Sequence, residues 1–554
     1  MSESATVTST RAVRVAAGVY APGHLGELTQ YLPFEAVDDV LEQTGTVQRR
    51  LRDLPSRVGV YFVLALGLFP GLGYLGVWRK LTAGLAGIAI RRPSEKALRD
   101  LRRRLGPAPL KALFELVAGP LAQPHTPGVR FGGLRTVAFD GLNSVKAPDS
   151  DRNRGWMGRI RYRMGFAGYP TVRLMTLVET GTRALIGAVI GSAADRDEAS
   201  LARNLLPLLR PGMLLLADRA FDAAAFLKEV AGTGALLLVR GTSSRRPPVL
   251  AHLPDGSYLS RLDGLPVRII EADLRVTGQD GSLVQDGYRL ITTLLDHRRY
   301  PATVVVRLYH ERWEIEVAYL GLRHTLLAGR VLRSHDRPGL EQEVWALLTV
   351  YQLLHMAMVT AIEAVPGTDP DRASFTSAAE AARDQLTAAH GVLGADGPVD
   401  LLGVIGRAVL ATLLPTRRPR YSARKVKCST SRYHDRDDSR PTAATTITAI
   451  DIAIHTPPLG PGPCRHRCRR DRTAHPAPPT RRDRIMQIMN GGPRHTWSGA
   501  ELARMLQVPP RNMLTQLAEW TRLGFLTRTG AGTYAPVGTA TAAHSPDPPA
   551  SDST

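Results

Sequence analysis

Two runs of five apolar residues, Met213-Leu-Leu-Leu-Ala217 and Ala235-Leu-Leu-Leu-Val239, constrain the fold more than any other feature of the chain. A strand with one wet face alternates apolar and polar side chains. These runs do not alternate, so both of their faces must be covered, as happens when helices pack on either side of a sheet. The surrounding pattern agrees. Residues 134–141, 171–179 and 183–191 read as strands, the last two joined by a Thr180-Gly181-Thr182 turn, and residues 197–209 and 221–230 read as helices. Three strands, helix, strand, helix, strand is an α/β order over residues 134–240.

Two aspartates punctuate that order. Asp140 closes the first strand and Asp218 directly follows Met213–Ala217. Sites in α/β sheets collect at the carboxyl ends of strands. If these two strands are neighbours, the carboxylates face each other. Each aspartate alone equally suits a loop carboxylate that caps the next helix, a role open also to Asp195, Asp197 and Asp222.

A third acid comes from the stretch Tyr309 to Arg323. On a helix at about 100° per residue, Tyr309, Arg312, Glu316 and Arg323 fall within about 60° of one another, with Glu314 on the other side. One carboxylate between two guanidiniums and a phenol suits a site that holds metal ions and phosphates together. The same spacing also fits a surface helix with ordinary i,i+4 charge pairs. Three hard oxygen ligands, Asp140, Asp218 and Glu316, suit two Mg²⁺ or Mn²⁺ ions, which remove the mutual repulsion of clustered carboxylates.

The rest of the chain divides by composition. Residues 1–20 are small, polar and expected to be flexible. Residues 21–118 read as helices over 28–43, 54–68, 73–85 and 94–117, with Arg91-Arg92 and Arg102-Arg103-Arg104 between apolar runs. Such a domain grips a DNA backbone or simply presents a solvated basic surface. Residues 58–77 carry no charge over a length that spans a bilayer, but Pro70-Gly-Leu-Gly73 breaks them into helix, turn and helix. Residues 119–133 read as a linker, 241–300 as an all-β insertion, and 301–415 as the second part of the core. Residues 416–482 are basic and largely disordered in expectation. Residues 483–536 give helix, helix, helix, hairpin, with a Ser498–Glu501 capping box. That is the order of a winged helix-turn-helix, whose third helix would offer Arg511, Asn512 and Gln516 to a DNA groove. A disordered tail, 537–554, follows.

Lys and Arg number 71 against 50 Asp and Glu, a net charge of +21. That excess points to a polyanion, nucleic acid first. Three cysteines, Cys428, Cys464 and Cys468, make no disulfide framework, and the N-terminus lacks a signal-peptide pattern, so the cytosol is the expected compartment.

The segments Val137-Ala-Phe-Asp140-Gly141, Leu216-Ala-Asp218-Arg-Ala-Phe221 and Tyr309-x2-Arg312-x3-Glu316-x6-Arg323 resemble the DDE transposases of bacterial insertion sequences, in the insertion-element-four group. That group's hallmark is Tyr-x2-Arg-x3-Glu-x6-Lys around the third carboxylate. The likeness covers residues 25–455. It implies a ribonuclease H-like mixed α/β core with a β-rich insertion, behind a helical N-terminal DNA-binding domain. It further implies cut-and-paste transposition, in which element ends are nicked, freed through hairpin intermediates and joined to target DNA. On that analogy Asp140, Asp218 and Glu316 ligate the metal ions, and Tyr309, Arg312, Arg323 and Arg219 hold phosphates. The partners would be double-stranded element ends and target DNA, with a homodimer on paired ends, at the nucleoid and away from any membrane. A catalytically inactive DNA-binding regulator of the same descent is the alternative. The chain departs from the pattern at Arg323, where a forked cation replaces a point charge, and after residue 457, where the winged-helix unit looks added.

Overall fold

The structure, a computed structural model, describes residues 12–14, 19–49, 52–85, 89–159, 161–162, 165–166, 168–192, 197–242, 245–279, 281, 283–311, 321–388, 402–415, 420–421, 445–457, 481–491, 496–508, 510–522 and 525–536. The chain forms two compact units, Met1–Pro463 and Cys464–Thr554.

A mixed sheet of twelve strands, among the described residues, organises the first unit. Its centre is built from β1 (Leu134–Lys146), β2 (Thr171–Glu179), β3 (Leu185–Gly191), β4 (Met213–Ala217) and β5 (Leu236–Arg240). The apolar β4 lies between β1 and β5 and runs parallel to both, with Val137 opposite Leu215 and Leu238 opposite Leu216. β2 pairs antiparallel with the other edge of β1, and β3 lies outside β2. Alternate residues feed two cores: Ala138, Leu214, Leu216 and Leu238 on one face, and Val137, Phe139, Leu215 and Leu237 on the other. The non-alternating runs are thus buried on both sides.

Helices α1 (Phe34–Gln43), α2 (Ser56–Leu68), α3 (Tyr74–Thr82), α4 (Glu95–Leu105) and α5 (Ala108–Val117) precede the sheet. α6 (Glu198–Ala202) and α7 (Ala224–Gly232) flank β4. α8 (Ala302–Glu311), α9 (Arg337–Glu363), α10 (Phe375–Ala388) and α11 (Gly403–Ala411) follow. α6 and α7 cover one face through Leu201, Phe226 and Val230. α8, α9 and the N-terminal helices share the core of the other face. The uncharged stretch is divided as its Pro70–Gly73 turn requires: α2 ends at Leu68 and α3 opens at Tyr74. Among the described residues one helix, α9, is long and apolar enough to cross a membrane, and its apolar window is 89% buried within this fold.

The N-terminal helices do not stand apart. Arg102 of α4 forms a buried ion pair with Glu343 of α9 at 3.1 Å and donates to Gln342 at 2.9 Å. A residue expected on a basic surface is therefore a buried tie between the two helical groups. Arg104 donates to the carbonyl of Leu54, while Arg103 is exposed. Buried Glu27 accepts the backbone N–H groups of Val404 and Ile405 at the start of α11, which satisfies donors a helix leaves open. Residues 119–133 are tied down by the fully buried Glu179, which pairs with Arg135 and accepts the N–H groups of Leu121 and Ala122 at 3.0 Å.

The β-rich stretch joins the core sheet instead of forming a separate layer. β6 (Tyr258–Leu262), β7 (Leu265–Gly278) and β8 (Leu283–Thr292) extend it through β8, which pairs with β5. β9 (Thr445–His455) then returns to pair with β7. This strand corrects the expectation of disorder for that part of 416–482. Its alternating Ile450, Ile452 and Ile454 pack on the core, and Ile447 breaks the alternation where the pairing slips by a bulge. Ala12–Arg14 likewise pair with Tyr20–Pro22, within a segment expected to be loose. The rest of 416–482 and the tail after residue 536, expected to be disordered, lie outside the described residues apart from Arg420, Tyr421, 445–457 and 481–482.

The second unit holds α12 (Arg481–Gly491), β10 (Trp497–Ser498), α13 (Gly499–Met505), α14 (Pro510–Arg522), β11 (Leu526–Gly530) and β12 (Thr533–Pro536). The strands form one small sheet in the order β10, β12, β11. The Ser498–Glu501 capping box is formed at α13. Ile485, Leu502, Met513, Leu517 and Tyr534 make its core.

Candidate active site

The sheet register sets the first two acids side by side. Ala138 of β1 lies opposite Leu216 of β4 in parallel pairing, and Asp140 and Asp218 each follow two positions later. β1 does not end at Asp140 as the sequence suggested. It continues to Lys146, with Asp140 opposite Thr176 of β2. The reason is that β4 stops at Ala217 while β2 goes on supplying backbone partners. Asp140 thus stands where β1 loses one neighbour and keeps the other. Asp218 is extended and half-exposed, and its carboxylate accepts the N–H of Ala220 at 2.8 Å. That bond caps the tight turn Arg219–Phe221, whose buried Phe221 packs on Phe139 and Phe226. Arg219 is exposed beside it.

Glu316 and Arg312 lie outside the described residues, as do the side chains of Asp140 and Arg511. The chain on each side of 312–320 is anchored. Tyr309, at the end of α8, is buried, and its hydroxyl donates to the carbonyl of Ala217 at 3.1 Å, with Tyr288 edge-on to its ring. The phenol expected to face a phosphate is packed in the core here and braces the end of β4. Beyond 320 the chain makes a π-helical turn, Gly321–Leu326. Such turns recur at functional sites. Arg323 within it donates to the hydroxyl of Ser144 on β1 at 3.3 Å and contacts His324. The two described ends therefore reach β4 and β1, the strands that lead to Asp218 and Asp140.

One acid here gave no signal in the sequence. Glu198, in the first turn of α6, is half-buried, and its carboxylate accepts from the Asn143 side chain at 3.4 Å. Burial first and the nearby charge of Asp218 second hold its carboxyl above the usual range, while the Asn143 bond acts the other way. Asp197 is a helix cap, accepting the N–H of Ser200 at 2.7 Å, and Asp195 lies outside the described residues. Asp222 is no cap. It accepts the N–H of Thr242 at 2.8 Å and pairs with Arg245.

The described carboxylates at this end of the sheet are those of Asp218 and Glu198. A hard-oxygen set of this kind fits Mg²⁺ or Mn²⁺ and excludes nothing a phosphate-bridging ion needs. Among the described residues no three His, Cys, Asp or Glu side chains form a metal cluster by themselves. Cys428, Cys464 and Cys468 lie outside them. In the second unit Asn512 is exposed and Gln516 half-exposed on α14, flanking the buried Met513 and Leu517.

Comparison with known proteins gives one match ahead of this site and one that spans it. Residues 22–115 match the family described as insertion element 4 transposase N-terminal, and residues 134–353 match the transposase DDE domain. The chain is 26% identical over 417 residues to the transposase InsG for insertion sequence element IS4 of Escherichia coli (strain K12), covering 73% of this chain and 92% of that protein. Among solved structures, a piggyBac transposase synaptic complex with hairpin DNA is similar at a TM-score of 0.33 and 10% identity, over 74% of this chain and 88% of that one.

Proposed function

We infer that this chain, a DNA transposase belonging to the insertion-element-four group of DDE transposases, excises and inserts DNA by cut-and-paste chemistry at the strand ends that carry Asp140 and Asp218. The observation that carries the reading is the parallel register of β1 and β4, which brings the two aspartates to one level of adjacent strands. The anchoring of Tyr309 to Ala217 and of Arg323 to Ser144 supports Glu316 as the third acid, since it lies between those ties. The strand order of the core supports a ribonuclease H-like fold.

Asp140, Asp218 and Glu316 would hold two Mg²⁺ or Mn²⁺ ions. Bound there, such ions make a water or 3′-hydroxyl nucleophilic near neutral pH and offset charge on the leaving oxygen. The protein's own residues align the phosphodiester. Arg323 presents its guanidinium beside β1, and Arg312 and exposed Arg219 add positive charge for neighbouring phosphates. Tyr309 fixes the backbone from which Asp218 projects. The substrates are double-stranded element ends and target DNA, and a homodimer holds the paired ends. The helices and hairpin of the second unit act as a winged helix that offers Arg511, Asn512 and Gln516 to a groove.

The test is strand cleavage of the element's own ends in Mg²⁺. Asp218→Asn and Glu316→Gln should each cut at less than about a hundredth of the native rate while binding the same DNA nearly as well. Native cleavage by both variants would overturn the assignment.

A further inference from the structure

We propose that Arg383 is a positioning residue for Arg323: it ties the π-helical turn that carries Arg323 to the carbonyl end of α2, and so makes the N-terminal helices part of the phosphate-aligning apparatus. The inference rests on the reading of Arg323 above and adds to it a residue from α10.

One guanidinium makes the tie. Arg383 lies half-buried on α10. Its Nε donates to the carbonyl of Leu68, the last residue of α2, at 2.7 Å, and its Nη2 to the carbonyl of Thr325, inside the turn Gly321–Leu326, at 3.0 Å. A helix leaves its last carbonyls open and its carbonyl end partly negative, so the end of α2 is a natural seat for a cation. Nε and Nη2 belong to one rigid planar fork. Two carbonyls from segments far apart in the chain are therefore held at a fixed spacing. An ammonium would donate too, but as a point charge it sets no such spacing.

The end of α2 is itself held. Arg333, in the segment between the π-helical turn and α9, donates to the carbonyls of Phe69 and Leu72 at 3.1 and 3.2 Å, and its backbone N–H goes to buried Glu343 at 2.8 Å. Two guanidiniums thus clamp this end and the Pro70–Gly73 turn after it. Of the two, Arg383 is the one that also bonds the π-helical turn.

What the turn carries makes the tie matter. A π-turn holds one residue more than an α-turn and is rare. Relaxing it to α geometry would shift the side chains by one residue, about 100° around the helix. Arg323 would then leave the Ser144 hydroxyl of β1, which it reaches at 3.3 Å. Buried Leu322 and Leu326 hold the turn from the core, and a Cβ at Gly321 would stand 3.1 Å from the ring of Phe375 on α10. α10 therefore meets the turn twice, by packing at Gly321 and by the hydrogen bond at Thr325.

The experiment is a double-mutant cycle on the full-length protein. It reads single-turnover cleavage of the element's own ends in Mg²⁺, end affinity by fluorescence anisotropy, and melting temperature. Arg383→Gln should cut about tenfold more slowly and bind ends within about twofold of the native affinity. In an Arg323→Ala background, already slow, the same change should alter the rate by less than about twofold, because the group it positions is gone. Arg383→Lys should fall between the native chain and Arg383→Gln, and it takes the place of Arg383→Gln in the cycle if that variant does not fold. Arg333→Gln loosens the same helix end without touching Thr325, so it should lower the melting temperature and act equally in both backgrounds. A native rate in the Arg383 variants, or an equal loss in both Arg323 backgrounds, would overturn the proposal and leave the role of Arg323 standing. Native cleavage by Arg323→Ala would overturn that role and the proposal together, while the three acids would still be judged by Asp218→Asn and Glu316→Gln.

Discussion

Tyr309 shows how one hydroxyl can matter without meeting the substrate. Its O–H donates to Ala217, the last carbonyl before Asp218. Tyr309→Phe leaves that carbonyl without its donor, so stability should fall by about 1 kcal/mol, and cleavage should slow severalfold while affinity for a DNA end is retained. Chemical denaturation and end-binding titrations check the two halves. A phenol that held phosphate would instead lose affinity. The sequence showed that Tyr309, Arg312, Glu316 and Arg323 share a helical stripe, but periodicity alone does not say which edge of a stripe faces inward. His355 makes a second residue-scale case. Burial first, then the charge of Arg183, push its imidazole down to about 3 from 6.5, and it lies in a ring stack with Tyr351 and Phe375. The unfolded imidazole takes up its proton below 6.5, while the folded one stays neutral until about 3. In that window the unfolded chain binds more protons, so stability falls as pH falls. The loss should reach up to roughly 5 kcal/mol at about 1.4 kcal/mol per pKa unit. Urea melts across this range should show it, and His355→Phe should flatten the acid limb.

Among the elements, α4 and α9 are held by a polar tie in an apolar setting. Arg102→Ala removes the ion-pair partner of buried Glu343, leaving it the Arg333 N–H and the Ser334 hydroxyl, and should destabilise the first unit by about 3 kcal/mol. Thermal melts of the full chain check this, with Arg103→Ala, at an exposed site on the same helix, as the near-neutral comparison. The three consecutive arginines are indistinguishable in composition. Only the partner on α9, distant along the chain, separates the buried one from the exposed ones. The same limit explains the strands. β2 and β4 were legible to the residue because turns and an apolar run bound them. β1 was read too short, because its last residues are held by β2 after β4 has ended. β9 was missed because its alternation is local to a few isoleucines inside a basic stretch. Glu198 escaped notice for a similar reason: nothing near it in sequence says that Gly141 leaves room for it.

For the molecule as a whole, the two aspartate strands, the order of the core apart from the helix Asp151–Met157 between its first two strands, and the three helices and hairpin of the second unit could be read in advance. The merging of N-terminal helices, β-rich stretch and core into one unit could not, because it depends on contacts between distant segments. With a net charge of +21, affinity for DNA should fall linearly with salt on logarithmic axes, and more steeply for the full chain than for a chain ending at Pro463. Fluorescence anisotropy over a salt series tests this. The shortened chain should still cut element ends, because every acid proposed for the site lies in the first unit.

Glu27 sits near the beginning of the polypeptide, yet the N–H groups it satisfies belong to residues as far as 378 positions away. Synthesis starts from that same end, so a ribosome must release most of the protein before the earliest helices find their final partners. Folding of this kind is slow and late, since distant contacts reward the chain only after long loops close. A message cut short before that point would yield a polypeptide whose opening segment is exposed to proteases, and not a stable stub able to compete with the intact enzyme.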